Sequence, residues 1–202
     1  MNSEMTYWDC QTIDVLHSWH VGHAQSKSHR FFDCGANAAN IPSGSGATGV
    51  SGHSSIGVFG FWAGRLDWIF DLAYPNDNPL IEHLCAEACL GLLRTQINET
   101  VGCLSVRDCR FSGLEMRPAS NLIEFGWAGP LRVEGLYLDD CRDKDIYIQL
   151  HPWGTDRPGA KAIIEGNVLM CRNIPWNFGS SSVWKPASTG TATTIRGSSS
   201  QT

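Results

Sequence analysis

Two clusters of carboxylates in this chain have the residue types needed to cleave a glycosidic bond. The segment LDDCRDKD carries Asp139 and Asp140, and the segment RLDWIFDLAY carries Asp67 and Asp71. Glycoside hydrolysis uses two carboxyl groups about 5–9 Å apart, one as an acid and the other as a base or nucleophile. Carboxylates in turns also accept hydrogen bonds from backbone amides, so a structural role for either cluster stays open.

Aromatic residues make the second cluster the better candidate for a sugar site. Trp62, Trp68 and Tyr74 are close in sequence to Asp67 and Asp71, and flat aromatic faces stack well on pyranose rings. The alternative is an amphipathic strand or loop whose aromatic residues pack on the body of the protein. Both interpretations are open from the sequence alone.

A run of histidines, HSWHVGH, offers metal ligands at His17, His20 and His23. A zinc site needs three or four ligands converging at about 2 Å from the metal. In a strand His17 and His23 would share a face while His20 would point away, because side chains alternate. We therefore expect imidazoles on a strand face, near solvent or a subunit contact, rather than a metal site.

Composition and charge exclude several classes of function. The chain has 202 residues with 15 basic and 20 acidic side chains, a net charge of −5, and it lacks the basic stripe typical of nucleic-acid binding. It has no apolar run of the about 18–20 residues that would cross a bilayer, and its first residues do not resemble a secretory signal. We expect a protein made in the cytoplasm, or a piece of a longer one, with no nucleic-acid partner and no membrane span.

The eight cysteines follow a repeat rather than a zinc or disulfide pattern. Six of them end similar phrases, an apolar-x-apolar stretch and usually an Asp, at intervals of 24, 51, 24, 32 and 30 residues: Cys10, Cys34, Cys85, Cys109, Cys141 and Cys171. The long interval indicates two repeats, the middle one lacking its cysteine near Ile56–Trp62. Cys89 fits the repeat as an alternative to Cys85.

This period predicts a stacked-repeat fold of short strands. Alternating apolar residues before the cysteines are typical of half-buried strands, and the 21 Gly and 9 Pro supply turns between them. Residues 78–94 fit either a short helix or a strand–turn–strand unit. Residues 37–57 are Gly/Ser-rich and predict an excursion from one coil. Residues 185–202 predict a flexible tail or arm beyond a domain formed by residues 1–184.

With these repeats the chain resembles a right-handed parallel β-helix of the pectin-lyase-like superfamily over roughly residues 5–184. The resemblance implies an all-β fold of about six to seven coils of about 20–32 residues each, with the cysteines stacked inside or along a turn as small hydrophobic side chains. In such a ladder Asp108 and Asp140 would stack about 4.8 Å apart. That geometry suits hydrolysis or calcium binding, and lyases of this fold hold calcium with carboxylates; no other cofactor is expected. An irregular β-sandwich is the alternative fold.

Eight tryptophans are many for a narrow β-helix interior, so we expect most of them outside. Trp127, Trp153 and Trp176 recur at intervals of 26 and 23 residues, which predicts a lengthwise aromatic ridge. A ridge of this kind suits a subunit interface or a glycan groove. Packing against the 37–57 excursion is the alternative.

Among proteins of this fold, a polar Gly/Ser-rich arm and a start without a signal resemble bacteriophage tailspikes and other virion surface proteins. The resemblance implies a homotrimer on the virion, or alternatively an extracellular protein, that binds host surface polysaccharide or neighbouring virion proteins. A polysaccharide lyase or hydrolase using the clustered aspartates is the first alternative function, and a purely structural cementing protein is the second. No catalytic motif accompanies the resemblance, so it is one of fold.

Overall fold

The computed structural model describes residues 4–22, 28–53, 55–74, 78–96, 102–112, 122–127 and 129–139, with short strand segments at 148–150, 161–165, 168–170, 184–186 and 193–196, and side chains as far as Tyr137. These residues form a parallel β-solenoid of about four turns. Every pairing among the described strands is parallel, which excludes the irregular sandwich. Within these ranges no helix is long and apolar enough to cross a membrane. The larger coil number expected for the whole chain stays a prediction.

One wall of the solenoid is a 12-stranded sheet, named sheet A, to which a coil contributes one bent strand or two short ones. Its strands are β1 (Thr6–Trp8), β2 (Gln11–Ile13), β4 (His29–Asn37), β6 (Ile56–Gly64), β8 (Leu80–Glu87), β10 (Leu104–Arg107), β11 (Arg110–Ser112), β13 (Pro130–Glu134), β14 (Tyr137–Asp139), β16 (Lys161–Glu165), β17 (Val168–Met170) and β19 (Thr193–Arg196).

The second wall is a seven-stranded sheet, named sheet B. Its strands are β3 (His17–Val21), β5 (Thr48–Gly52), β7 (Trp68–Leu72), β9 (Gly91–Thr95), β12 (Ile123–Phe125), β15 (Ile148–Leu150) and β18 (Trp184–Pro186). Each coil therefore runs from sheet A to sheet B and then returns through a loop to the next strand of sheet A.

Alternation along the strands fills the space between the walls with apolar side chains. The inward column of sheet A is Phe31, Val58, Ile81, Val106 and Val133, and that of sheet B is Val50, Phe70, Leu93 and Ile123; all are fully buried. Phe61 and Phe70 join the two walls, with ring centroids 5.8 Å apart. Each such side chain contributes about 1.5–3 kcal/mol on burial, so the stacked columns hold the coils in register.

A left-handed residue bends sheet A at the same place in every coil. Successive coils use Asp9, Asp33, Gly60, His83, Asp108 and Gly135, with φ between 48 and 73°. Aspartate and glycine tolerate this region better than most residues do, which explains why an Asp recurs before the cysteines. A second left-handed corner follows five residues later, at Asp14, Arg65 and Ala88.

The residue after the first corner points into the solenoid. In successive coils it is Cys10, Cys34, Phe61, Leu84, Cys109 and Leu136. The predicted interior stack is confirmed at Cys34 and Cys109, both buried, and Phe61 fills the predicted gap.

The neighbouring cysteines lie elsewhere. Cys85 is exposed, and Cys89 is buried just after the second corner, so neither occupies the stacked position. Leu136 lies over Cys109, because Arg110 pairs with Tyr137; the alignment of Cys141 with Cys109 was therefore wrong. The six described cysteines are free thiols.

Of the two alternatives for residues 78–94, the strand–turn–strand unit is confirmed; a second predicted segment needs correction, and a third lies mostly outside the described residues. Residues 78–94 form β8 and β9 rather than a helix, because the corner at His83 lets Ile81, Leu84 and Ala86 all face inward. The segment 37–57 is not wholly an excursion: it contains β5 and the start of β6, and the loop between β4 and β5 is residues 38–47. Of the predicted tail, residues 185–186 and 193–196 are described and belong to β18 and β19.

Candidate functional site

A groove of about 640 Å³ lies on the outer face of sheet B and crosses four successive coils. The residues that line it are His17, His20, Gly46, Thr48, Ser51, Gly52, Asp71, Ala73, Arg94 and Gln96. Its polar side chains combine imidazole, hydroxyl, carboxylate and guanidinium groups. This is the combination expected where a concave surface orients a polar ligand.

Strand alternation places these side chains outside. Because Val50, Phe70 and Leu93 face the core, the next residue of each strand faces outward. The resulting outward column runs His20, Ser51, Asp71 and Arg94 on adjacent strands. With neighbouring strands about 4.8 Å apart, it spans roughly 14 Å. A parallel column runs His17, Thr48, Trp68 and Gly91.

Both histidines are anchored to hydroxyl groups one coil further along. His20 Nδ1 is 3.1 Å from Ser51 Oγ, and His17 Nδ1 is 2.9 Å from Thr48 Oγ1. The Ser51 hydroxyl donates to the carbonyl oxygen of Trp19 at 3.3 Å, so Ser51 Oγ is left to accept the proton on His20 Nδ1. With the Ser51 hydroxyl in this orientation, the neutral His20 ring donates from Nδ1, and its Nε2 is a lone-pair acceptor.

A glycine makes room for the His20 ring. A Cβ on Gly52 would come within 3.1 Å of His20 Cε1 and closer still to the Val21 carbonyl, and the φ of Gly52 is +97°. A larger residue would be both strained and in contact with the imidazole. The absence of a side chain at Gly52 thus leaves the space that the His20 ring occupies.

Arg94 and Asp71 form the other end of the polar column. Arg94 donates from Nε and Nη2 to the two carboxylate oxygens of Asp71, at 3.2 and 2.5 Å. These hydrogen bonds raise the pKa of Arg94, which keeps it charged. Its guanidinium also lies over the Trp68 ring, 5.2 Å from the centroid. The pair is a planar surface of fixed geometry, with side-chain exposures of 43% for Arg94 and 24% for Asp71.

The loop of residues 38–47 forms one rim of the groove through Gly46, and two carboxylates hold it. Asp67 accepts from the backbone N–H groups of Gly44, Gly46 and Ala47 at 2.6, 2.6 and 3.1 Å. Asp14 accepts from the backbone and side-chain nitrogens of Asn40, which lowers the Asp14 pKa. The loop is thereby fixed at both of its ends.

The predicted carboxylate pairs are not assembled in the described part of the chain. Asp67 is buried beneath the loop, whereas Asp71 is outside and bound to Arg94. Gly135, not Asp140, lies one coil over Asp108, so the predicted stack of Asp108 and Asp140 was wrong. Asp139 is in register with Ser112, and Asp140 lies outside the described residues.

The predicted aromatic residues lie in three different places: beside the groove, on the outer face of sheet A and in the core. Trp68 adjoins the groove, and Tyr74 follows the groove residue Ala73 and stacks on His53 at 5.3 Å. Trp62 lies on the outer face of sheet A, against Gly35. Trp127 is fully buried, so it cannot belong to an external ridge; Trp153 and Trp176 lie outside the described residues.

The predicted histidine cluster is only partly assembled. His17 and His20 line one groove, contrary to the expectation that His20 would point away. Strict alternation is interrupted in sheet B, where the consecutive residues Ile69 and Phe70 are both buried. His23 lies outside the described residues. Among the described side chains no group of three or more His, Cys, Asp and Glu residues could hold a metal ion.

The sequence analysis did not identify the groove residues Thr48, Ser51 and Arg94. It also did not identify a column of aromatic side chains on sheet A. Trp8, Phe32 and Phe59 are stacked on the outer face of sheet A, with ring centroids 4.1 and 5.1 Å apart. The same column continues as the ion-paired residues Glu82, Arg107 and Glu134. The members of this column each lie one position after an inward apolar residue of sheet A, such as Phe32 after Phe31 and Phe59 after Val58, and only the correct register reveals this.

Comparison with known proteins gives this chain no relative: no family model, no curated protein and no solved structure matches it. The class of protein is therefore defined by the fold, a parallel β-solenoid with a polar groove across its coils.

Proposed function

We propose that this protein binds a polysaccharide along the outer face of sheet B. The observation that carries the proposal is the groove itself, in which one column of polar side chains crosses four coils. An elongated groove suits an elongated chain, and its length of roughly 14 Å is that of a short oligosaccharide rather than of a single small molecule.

The lining chemistry supports a sugar ligand. The Arg94–Asp71 pair presents donors and acceptors in one plane, as vicinal hydroxyl groups require. His17 and His20 add ring nitrogens, and Trp68 adds an aromatic surface beside the polar column. Few of these groups can rotate freely, because each is bonded to a neighbouring coil, so little ordering entropy is lost on binding.

A glycan array followed by affinity electrophoresis in gels containing the best ligands tests this proposal. Arg94→Gln should weaken retardation by about tenfold or more, because it removes charge-assisted hydrogen bonds at the site. Arg107→Gln is the matched control: Arg107 is also a half-exposed, ion-paired arginine of a central strand, but on sheet A. Equal effects of the two variants, or no glycan bound at all, would contradict the proposal.

Three further predictions concern the family, the oligomeric state and the location of the protein. A place in the right-handed pectin-lyase-like superfamily, a trimeric assembly and a position on a virion surface all remain predictions. The outer-face stack of Trp8, Phe32 and Phe59 on sheet A, in which Trp8 is 63% exposed and the two phenylalanines are partly buried, supports a partner on that wall. Light scattering on the reduced protein tests the trimer, for which about three times the chain mass of 22.2 kDa is expected.

A further inference from the structure

We infer that the groove is selective for saccharides that carry an oxyanion, a carboxylate or a sulfate or phosphate ester, and that lowering the pH strengthens their binding. The inference rests on the proposed function and concerns the end of the groove formed by β3 and β5. There, two imidazoles, His17 and His20, lie three residues apart on strand β3 and line the same groove.

The charge of the groove is set by these imidazoles, because the two charged side chains that line it, Asp71 and Arg94, neutralise each other. From β7 the groove receives Asp71 and from β9 it receives Arg94, which neutralise each other at 2.5 Å. From β5 it receives only the uncharged hydroxyls of Thr48 and Ser51. Asp67 lies beneath the loop rim and is directed at backbone amides, and Glu124 lies beyond Arg94 on β12.

Protonation therefore changes the site from neutral to cationic. Imidazole is the uncharged side chain of this groove that can take up a proton. In neutral His20, Nε2 is an acceptor, which suits a sugar hydroxyl. In the protonated ring Nε2 becomes a donor, which suits an oxyanion. Since Nδ1 is bonded to Ser51 in either state, the ring need not move when it gains the proton.

The net negative charge of the whole chain opposes the binding of anions, so attraction of an anionic saccharide must come from charge within the groove. The protein carries a formal charge of −5 with histidines neutral, so polyanions are repelled at long range. Binding of an anionic saccharide thus requires a local cationic patch, and removing the two imidazoles should remove most of the pH dependence.

The test measures affinity for three named probes, alginate (carboxylate), dextran sulfate (sulfate) and dextran (uncharged), at about pH 8 and pH 5.5 and fixed ionic strength. For the wild type we expect at least one acidic probe to bind about tenfold or more tightly at the lower pH, with dextran unchanged. The double variant His17→Gln/His20→Gln should keep less than about a twofold rise. His83→Asn is the control, because His83 is exposed on sheet A and its positive φ suits asparagine.

The outcomes separate this inference from the proposed function. If dextran or another glycan binds and Arg94→Gln weakens it, but acidic probes show no preference and no pH dependence, the inference fails while the proposed function stands. If the double variant keeps the full rise, the imidazoles are not the cause and the inference fails. If no saccharide binds at either pH, both fail. Which acidic probe responds tells a carboxylate site from a sulfate site.

Discussion

Trp68 lies flat against the backbone of Gly91, its partner in the next coil, so closely that a Cβ at Gly91 would overlap ring carbons Cζ3 and Cε3. Arg94, from the same strand, lies over the ring. The absence of a side chain at Gly91 thus sets where the indole rests beside the groove.

Gly91→Ala should displace the Trp68 ring and lower the free energy of unfolding by about 1–3 kcal/mol, the usual cost of overpacking. The measurement is urea denaturation together with the near-ultraviolet circular dichroism of the indole. In a Trp68→Ala background the same glycine substitution should cost much less, because the overlap is gone. Equal costs in both backgrounds would show that the indole is not what excludes a side chain at Gly91.

His29 should make the fold less stable in mild acid. It is buried beside Tyr7, neither of its ring nitrogens has a hydrogen-bond partner among the described residues, and burial lowers the pKa of His29. As the pH falls below the ordinary imidazole pKa of about 6.5, the unfolded chain takes up a proton that the folded chain refuses. The free energy of unfolding should therefore fall from about pH 7.5 to pH 5, by at most about 1.4 kcal/mol per pH unit from this residue.

His29→Phe isolates that contribution. Phenylalanine keeps the ring contact with Tyr7 and removes the unpaired nitrogens, so the variant should show a shallower loss of stability in acid than the wild type. His83→Asn, at an exposed histidine, should leave the slope unchanged. Urea titrations at the two pH values measure both; identical slopes for wild type and His29→Phe would rule out His29 as the source.

The cysteines should differ sharply in reactivity. Burial raises the pKa of both Cys89 and Cys109 to about 12, so almost no thiolate forms at either near pH 8, and neither is open to a reagent. Cys85 is exposed. Iodoacetamide should label Cys85 in the native protein and reach Cys89 and Cys109 only after unfolding in guanidinium. Peptide mass mapping reads the labels; early labelling of Cys109 would contradict its place in the interior stack.

Two tryptophans should respond oppositely to truncation. Trp127 is 0% exposed and Trp62 is 41% exposed. Trp127→Ala should cost about 3–5 kcal/mol of stability, because it leaves a large cavity between the walls. Trp62→Ala should cost about 1 kcal/mol or less. Chemical denaturation of the two variants decides between an interior and an exterior position, and a mild effect at Trp127 would restore the idea of an external ridge.

The sequence was most informative where the coils are alike. The inward residue always comes directly after the left-handed corner of sheet A, so the sequence alone aligned Cys10, Cys34 and Cys109. The same spacing predicted a missing cysteine at the place that Phe61 occupies. Left-handed aspartates gave each phrase a recognisable beginning.

The groove could not be predicted because its members are separated by loops of unequal length. His20, Ser51, Asp71 and Arg94 lie 31, 20 and 23 residues apart, and no single period aligns them. For Trp127 a regular interval led to a wrong prediction. Its distance in sequence to the next tryptophan equals the length of a coil, which predicted an external ridge, but its side chain faces inward. Stacking in a solenoid is decided by strand register, and an insertion outside the strands shifts the spacing without shifting the register.

The groove also has a consequence for how the molecule resists unfolding. Each coil of a solenoid contacts only the coils beside it, so its stability behaves as a chain of nearest-neighbour terms and its ends can fray independently. A saccharide held at once by His20 on β3 and Arg94 on β9 would link coils that otherwise share no contact. Bound protein would then open strands β3, β5, β7 and β9 together rather than one by one, and hydrogen exchange in β3 would become as slow as in β9.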